Sequence, residues 1–280
     1  MLPRVCHTVS MSTSTSRSPL PRANLNLPGA HITMKMLEMV FMLGHPVALF
    51  AFLLGMSIYA WDIHLRGVSL GPWFVTAALL LSGVYLYERV RKTYRDLRHY
   101  GQGRQGEVMV GQLLEGLRPY GYTPIHDVPC TGKNGKEFNI DHVLVGPRGV
   151  FVIETKTWSK TNGENEKMTF RDGALYAGSR RCSDAEILQA QRNGQWLRSL
   201  LETRSGRSFP VHAILTFPGW YVERDATSAI RETYGVYTLT PKAIGPYLGK
   251  YVDATLSDDE IQQVVKVISN YVYEQAENDR

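Results

Sequence analysis

Two acidic residues and a lysine stand at the ends of two neighbouring apolar runs of the chain. Asp141 precedes the first run, and Glu154 follows the second, with Lys156 two residues further on. A turn signal with two glycines and a proline separates the runs, so this segment predicts a β-hairpin of buried strands. The apolar runs cover residues 143–145 and 150–153, and the turn covers residues 146–149.

The predicted hairpin brings Asp141 and Glu154 to the same end of a sheet. Because side chains alternate along a strand, Glu154 and Lys156 lie on one face. Charged groups beside such apolar strands cost free energy unless they are paired or bind a ligand. Mg²⁺ and Mn²⁺ prefer oxygen ligands and take one or two carboxylates from a protein. We therefore predict a site for Mg²⁺ or Mn²⁺ with an adjacent lysine.

This part of the chain resembles the nuclease-related domain (NERD) family, a branch of the PD-(D/E)XK phosphodiesterases. The similarity covers residues 103 to 217. An Asp followed at a distance by Glu-x-Lys is common by chance, but the same triplet on a strand–turn–strand, between a Gly-Glu helix and a Gln helix, is not. The residues that carry the resemblance are Gly106-Glu107, Ile140-Asp141-His142, Val145-Gly146-Pro147, Gly149-Val150-Phe151, Val152-Ile153-Glu154-Thr155-Lys156 and Gln189.

The resemblance implies a restriction-endonuclease-like core and a role for each of five residues. Asp141 and Glu154 would hold the metal ion, and Glu107 would be an auxiliary ligand of the metal or of a water. Lys156 would orient or deprotonate the attacking water, or offset charge on the phosphate. Gln189 would bind the water or the backbone of the site.

Each of these residues also has a structural explanation. Acids at strand ends are ordinary, and an acid such as Glu107 near a helix N-terminus is favourable for the helix dipole. Lysines such as Lys156 protect sheet edges, and Gln189 would be an exposed helix residue. We interpret Trp158, which follows the motif, as a packing residue in preference to one that stacks on a base.

The basic residues of the chain are concentrated beside its apolar segments. The net charge is +5, yet residues 105–280 carry 20 basic and 22 acidic residues. Within that part, residues 156–210 carry 10 basic and 6 acidic residues, which allows a modest phosphate-facing surface after the Glu-Thr-Lys motif. Ordinary solvated surface charge explains the same count. The three cysteines are widely spaced and predict neither a zinc site nor a disulfide framework.

Two long apolar segments precede the predicted nuclease-like domain. Residues 39–61 and 67–87 contain no Asp, Glu, Lys or Arg, and each is long enough to cross a bilayer as a helix. A buried helical hairpin of a soluble domain is the alternative. Residues 1–35 are rich in Ser, Thr, Pro and Arg and are predicted to be a disordered tail. We predict two transmembrane helices and a basic arm within residues 36–100.

Positive charge flanks the two predicted spans on one side. Arg17, Arg22 and Lys35 precede the first span, whereas the connector has a single basic residue, Arg66. Five basic residues lie between positions 89 and 98, after the second span. The positive-inside rule then predicts a multi-pass protein of the cell (inner) membrane with both termini and the soluble domain in the cytoplasm.

The order of predicted elements after the membrane segments indicates an α/β fold. We expect the basic arm to end at Gly101-Gln-Gly103, followed by a helix over 104–117, the motif hairpin, a second hairpin over 167–176, a helix over 184–203 and strands at 211–217 and 236–239. This order predicts a mixed sheet with helices on both faces. We place the nuclease-like domain at residues 101–220 and a C-terminal extension that packs on it at 221–280.

The predicted function is hydrolysis of phosphodiester bonds, with DNA as the first candidate substrate, by a membrane-anchored and metal-dependent nuclease. Two alternatives stay open. One is a catalytically silent nucleic-acid-binding or membrane scaffold protein with the same fold, which the slightly acidic domain favours. The other is a transporter accessory or membrane sensor. The chain has no P-loop, no dinucleotide-binding glycine motif and no Gly-x-Ser-x-Gly elbow.

Overall fold

Alternating and continuous apolar runs form two sheets in the computed structural model, which describes residues 27–67, 72–132, 134–160, 167–251 and 255–278. The main sheet has five strands: β1 (Thr123–Thr131), β2 (Glu137–Gly146), β3 (Gly149–Thr155), β7 (Val211–Thr216) and β9 (Val236–Leu239). β1, β2 and β3 are antiparallel neighbours, and β7 and β9 continue the sheet in parallel with β3. All seven residues of β3 are buried because both of its faces are covered.

The second sheet is smaller and lies after the motif in the chain. It contains β4 (Lys167–Arg171), β5 (Ala174–Ala177), β6 (Arg180–Arg181) and β8 (Tyr221–Val222), in the order β6-β5-β4-β8. The predicted second hairpin is therefore present as β4 and β5. The short strands β6 and β8 were not predicted, because two residues are too few to give a periodic pattern.

Helices cover both faces of the main sheet. α4 (Ala185–Ser205) and α7 (Asp258–Asn278) pack on one face, and α3 (Trp73–Glu115) and α6 (Ile244–Tyr251) pack on the other. α5 (Arg224–Tyr234) connects β8 to β9 and packs on the second sheet. The fold is thus mixed α/β with mixed sheets flanked by helices, as predicted.

The segment after residue 220 completes the main sheet. β9 is its fifth strand, and α7 covers β1 and β2. A capping box opens α7, since the backbone N–H of Ser257 donates to Glu260 Oε2 at 2.9 Å and that of Glu260 donates to Ser257 Oγ at 3.4 Å.

α3 is one uninterrupted helix of 43 residues, so the prediction of a break at residues 101–103 was wrong. A glycine inside a helix costs only about 1 kcal/mol relative to alanine, and packing outweighs this cost. A Cβ at Gly103 would lie 3.7 Å from Ile32 Cδ1, whereas Gly101 has open space around it. A neighbouring helix therefore packs against α3 at Gly103.

That neighbour is α1 (Ala30–Phe41), which occupies part of the predicted disordered tail. Residues 30–35 are helical, which corrects that part of the prediction, and residues 1–26 lie outside the described residues. Arg104 Nε donates to Thr33 Oγ1 at 2.8 Å and holds the start of α1 against α3. The first predicted span is also divided, because α1 ends at Phe41 and α2 (Gly44–Leu65) begins after a short turn.

Pro46 explains where this division falls. Its ring clashes with the preceding turn of a helix and its nitrogen has no hydrogen to donate, so proline is tolerated best in the first turn. α2 then packs against the start of α3 through a hydrogen bond of 3.0 Å from Trp61 Nε1 to Thr76 Oγ1. Helix α3 begins at Trp73, and residues 68–71 of the second predicted span lie outside the described residues.

The stretch Ala30–Leu65, which holds α1 and α2, is long and apolar enough to cross a membrane, judged by length and composition. Large apolar side chains point outward on α2 and on the first part of α3. Phe74 is 90% exposed, Leu81 is 72% exposed and Phe52 is 64% exposed. Contiguous apolar surface of this kind is typical of a face that contacts lipid or another protein.

Candidate functional site

The motif hairpin places Asp141 and Glu154 beside each other. The pairing of β2 with β3 ends at His142 and Ile153, and the next position along each strand holds one of the two acids. Asp141 Oδ2 accepts a hydrogen bond of 2.7 Å from the backbone N–H of Thr155. The two carboxylates therefore lie at the same edge of the sheet, at the carboxyl end of β3, as the sequence predicted.

Glu154 is almost completely buried, with 1% of its surface exposed. Its Oε1 accepts hydrogen bonds from Lys156 Nζ and from Gln189 Nε2, each at 2.7 Å. Its Oε2 accepts a bond of 2.9 Å from Asn193 Nδ2. These contacts offset the cost of burying the charge. Three of the predicted site residues, Glu154, Lys156 and Gln189, are thus in direct contact.

Asn193 was missed by the sequence analysis, although a signal for it exists. It follows Gln189 by four residues on α4, and residues at that spacing lie on the same face of a helix. A prediction that Gln189 reaches the site could therefore have been extended to Asn193.

Glu107 reaches the same region from α3, where Gly106 allows an unusually close approach. A Cβ on Gly106 would lie 2.0 Å from Thr157 Oγ1 and 3.4 Å from Pro218 Cγ. Only glycine permits α3 to contact the segment that follows β3 at this distance. This explains the Gly-Glu pair of the motif. Gly106 allows α3 to pack closely against the segment after β3, and Glu107 then lies near the carboxylates of the site.

The carboxyl groups of the site all have raised pKa values. Burial, followed by repulsion from Asp127 and Glu154, raises the pKa of Glu107 to about 7. Burial and repulsion from Glu154 and Glu107 hold the pKa of Asp141 well above its ordinary value. Such mutual repulsion among desolvated acids is the electrostatic setting in which a bound cation is most favourable.

Glu154 and Lys156 respond differently to their contact. Burial raises the pKa of Glu154, and the attraction of Lys156 offsets only part of this effect. Burial alone would lower the pKa of Lys156, but the attraction of Glu154 outweighs it and the pKa of the lysine is raised. Lys156 is therefore an ammonium ion at neutral pH in this arrangement.

The acids are not gathered into one three-ligand group. Across the described ranges of the chain, no three His, Cys, Asp or Glu side chains are grouped so that they could hold one metal ion. The role predicted for Glu107, an auxiliary ligand of the metal or of a water, stays a prediction.

Asp127 is a further acid near the site that the sequence analysis overlooked. It lies on β1, opposite Asp141, with a φ of 51°, a conformation that aspartate tolerates better than most residues. Its carboxylate accepts hydrogen bonds from the backbone N–H of His31 and, at 2.6 Å, from Asn139 Nδ2. The first turn of α1 is thus attached to the neighbourhood of Glu107.

Comparison with known proteins agrees with this geometry. Residues 102–218 match the nuclease-related domain (NERD) family. An uncharacterized protein of Bacillus anthracis is 37% identical over 57 residues, which cover 20% of this chain and 27% of that protein. The chain thus matches about a quarter of this relative's length.

A solved structure, protein VC1899 from Vibrio cholerae, aligns with 89% of this chain and 58% of its own, at 12% identity and a TM-score of 0.30. A similarity at this level carries no structural argument.

Proposed function

Because residues 102–218 match a nuclease-related domain, we propose that this protein is a membrane-anchored, metal-dependent nuclease that hydrolyses phosphodiester bonds, with DNA as the first substrate to test. One observation carries the proposal. Asp141 and Glu154 lie side by side at the carboxyl end of β3, where the ammonium of Lys156 contacts Glu154, and burial raises the pKa of both carboxyl groups. A restriction-endonuclease-like core is part of the same proposal.

The residues present fit a Mg²⁺ or Mn²⁺ ion by two criteria. Asp141 and Glu154 supply two hard oxygen ligands, the number that such ions take while they keep several waters. The buried hydroxyls of Thr155 and Thr157 have no hydrogen-bond partner among the residues the structure describes, and they lie on either side of Lys156, where ordered water would satisfy them. Glu107 would contact such a water rather than the ion. When bound, the ion supplies Lewis-acid polarisation of the phosphate.

The chain's own groups have separate parts in this proposal. Lys156, held as an ammonium by Glu154, offsets the negative charge that develops on the phosphate and does not serve as the base. Glu107, with its pKa raised to about 7, accepts or holds a proton close to neutral pH, where a general base works best. Gln189 and Asn193 orient the Glu154 carboxylate through their amide groups.

The membrane part of the proposal rests on α2 and α3. α2 has 22 residues, enough to cross a hydrocarbon core of about 30 Å. We propose that α2 and the apolar start of α3 form a two-span hairpin, since their outward side chains are apolar. By the positive-inside rule, the five basic residues between positions 89 and 98 support a cytoplasmic position for the nuclease-like domain.

The test is cleavage of plasmid DNA by the purified full chain in detergent. We expect cleavage with Mn²⁺ or Mg²⁺, none with EDTA, and a loss of at least about 100-fold in the Asp141→Asn and Lys156→Ala variants. Asp259→Asn is the matched control, because it makes the same chemical change at an exposed acid in the first turn of α7. Equal cleavage by Asp141→Asn and the control would refute the proposal.

A second candidate is a nucleic-acid-binding protein without turnover. It is favoured by Glu154, whose two oxygens are both already engaged by Lys156 and by α4. This candidate predicts that the full chain binds DNA with equal affinity in Mn²⁺ and in EDTA and does not cut it. Cleavage that depends on Asp141 excludes it.

A further inference from the structure

Basic side chains lie over aromatic rings on the second sheet and its flanking loops. Arg180 lies over the Trp158 ring at 4.9 Å, and Arg171 lies over the Tyr176 ring at 4.2 Å. The Lys160 Nζ atom lies 5.5 Å from the centre of the Trp220 ring. Contacts between cations and rings at these distances are attractive and restrict where the cation points.

This surface begins only two residues after the candidate active site in the chain. Trp158 follows Lys156 by two residues, and its carbonyl oxygen accepts a hydrogen bond of 3.0 Å from Trp220 Nε1. A groove of about 470 Å³ lies here, lined by Trp158, Lys160, Pro218, Gly219 and Trp220. Trp158 is four positions after Glu154, so the two lie at most about 14 Å apart. Along the axis of a DNA duplex, this distance spans about four phosphates of one strand.

The two tryptophan rings are not themselves surfaces for base stacking. Trp220 is 3% exposed. The Trp158 ring contacts Phe217 at 4.9 Å as well as Arg180, which agrees with the prediction of a packing role. The rings therefore hold the cations in place, and the edges of the guanidinium groups remain available for phosphate oxygens.

The three arginines of this surface have no ion-pair partner among the residues that the structure describes. Arg171, Arg180 and Arg181 are exposed. Three exposed positive charges without a carboxylate partner favour an anionic ligand.

We propose that Arg171, Arg180 and Arg181, here called the cationic platform, bind the phosphate backbone of a nucleic acid strand and lead it to Lys156. The inference rests on the proposed function, whose substrate it places on one face of the domain. Recognition is independent of sequence, because phosphates carry no base information.

The test is the salt dependence of binding, measured by fluorescence anisotropy with a labelled 30-base-pair DNA and the full chain in EDTA, so that nothing is cut. Each phosphate contact contributes about 0.9 to the slope of log K against log salt. The Arg180→Gln/Arg181→Gln variant should lower the magnitude of the slope by about 1.8. At 100 mM salt it should bind about 10-fold or more weakly for each arginine removed.

The control variant is Arg204→Gln/Lys266→Gln, which removes the same charge from α4 and α7 on the other side of the domain. Arg204 is paired with Glu274 at the surface, and such exposed pairs contribute little to stability. The control should keep the slope of the wild type. An unchanged slope in the platform variant, with an unchanged melting temperature as proof of folding, would overturn the inference.

Two further measurements separate this inference from the proposed function and from a membrane-binding role. Weaker binding in the platform variant supports the platform even when no variant cuts plasmid DNA. Cleavage that depends on Asp141 but not on the platform retains the nuclease and rejects the platform. Loss of flotation with phosphatidylglycerol vesicles, with unchanged DNA binding, would assign the platform to lipid and reject the inference.

Discussion

Replacing Glu107 with glutamine should stabilise the metal-free protein at pH 8. The pKa of Glu107 is raised from an ordinary value of 4.5 to about 7, first by burial and then by repulsion from Asp127 and Glu154. The unfolded chain ionises this carboxyl more easily than the folded protein does. Glutamine has the shape of the protonated glutamic acid and cannot ionise, so the variant avoids the penalty.

The size of the effect follows from the shift. A change of about 2.5 pKa units at about 1.4 kcal/mol per unit gives about 3 kcal/mol. A carboxyl whose pKa is higher in the folded protein stabilises it below the unfolded value, and this contribution is lost as the pH rises from 4.5 to about 7. The Glu107→Gln variant should therefore match the wild type near pH 4 and exceed it by about 3 kcal/mol at pH 8.

The assay is urea denaturation of the full chain in detergent with EDTA, followed by tryptophan fluorescence at several pH values. Glu137→Gln is the matched control, because Glu137 is an exposed glutamate at the start of β2. Adding Mn²⁺ should stabilise the wild type more than the Glu107→Gln variant, since a nearby cation removes the penalty of the carboxylate. A difference between wild type and variant that does not change from pH 4 to pH 8 would refute the electrostatic argument.

Three other changes have expected outcomes. Gly106→Ala should destabilise the fold by about 1–3 kcal/mol, because its Cβ would meet Thr157 Oγ1 at 2.0 Å. Gly101→Ala is the control, because Gly101 lies in open space on the same helix. It should stabilise the fold by up to about 1 kcal/mol. Burial lowers the pKa of His142 to about 3, so the wild type should lose about 1.4 kcal/mol per pH unit below 6.5 relative to His142→Asn. Asn193→Ala leaves a buried carboxylate oxygen without its donor and should cost about 1–3 kcal/mol. All three are measured by the same denaturation assay.

Controls for the last two changes lie elsewhere in the chain. His99→Asn alters an exposed histidine of α3 and should keep the acid response of the wild type. Gln195→Ala removes an exposed amide from α4 and should change stability by less than about 0.5 kcal/mol. A loss in Gln195→Ala equal to that in Asn193→Ala would mean that helix propensity, and not the contact with Glu154, is being measured.

The sequence was most informative where local patterns and tertiary structure agree. Two apolar runs around a Gly-Pro turn predicted β2 and β3, and their register alone brings Asp141 beside Glu154. The contact between Glu154 and Lys156 follows from the period of two along an extended chain. These features depend only on residues close together in sequence.

Features that depend on distant contacts could not be predicted in this way. The glycines near residue 101 indicated a helix end, but packing of Ile32 against Gly103 accompanies a continuous helix. Asp127 looked like an ordinary strand residue, and only the docking of α1 brings the backbone of His31 to its carboxylate. Helix α5 was missed because its amphipathic stretch is short and its stability depends on packing against β4 and β9.

The unbroken α3 has a mechanical consequence. Glu107 is twenty positions after Tyr87 within this helix, and at 1.5 Å per residue the helix holds the carboxylate about 30 Å beyond the apolar segment. Helix α1 packs alongside α3 and is attached to the domain by the hydrogen bond from the backbone N–H of His31 to Asp127. In the proposed membrane-anchored nuclease, this rigid helix would hold the site at a fixed height above the lipid headgroups, so that only substrate close to the bilayer would be cut.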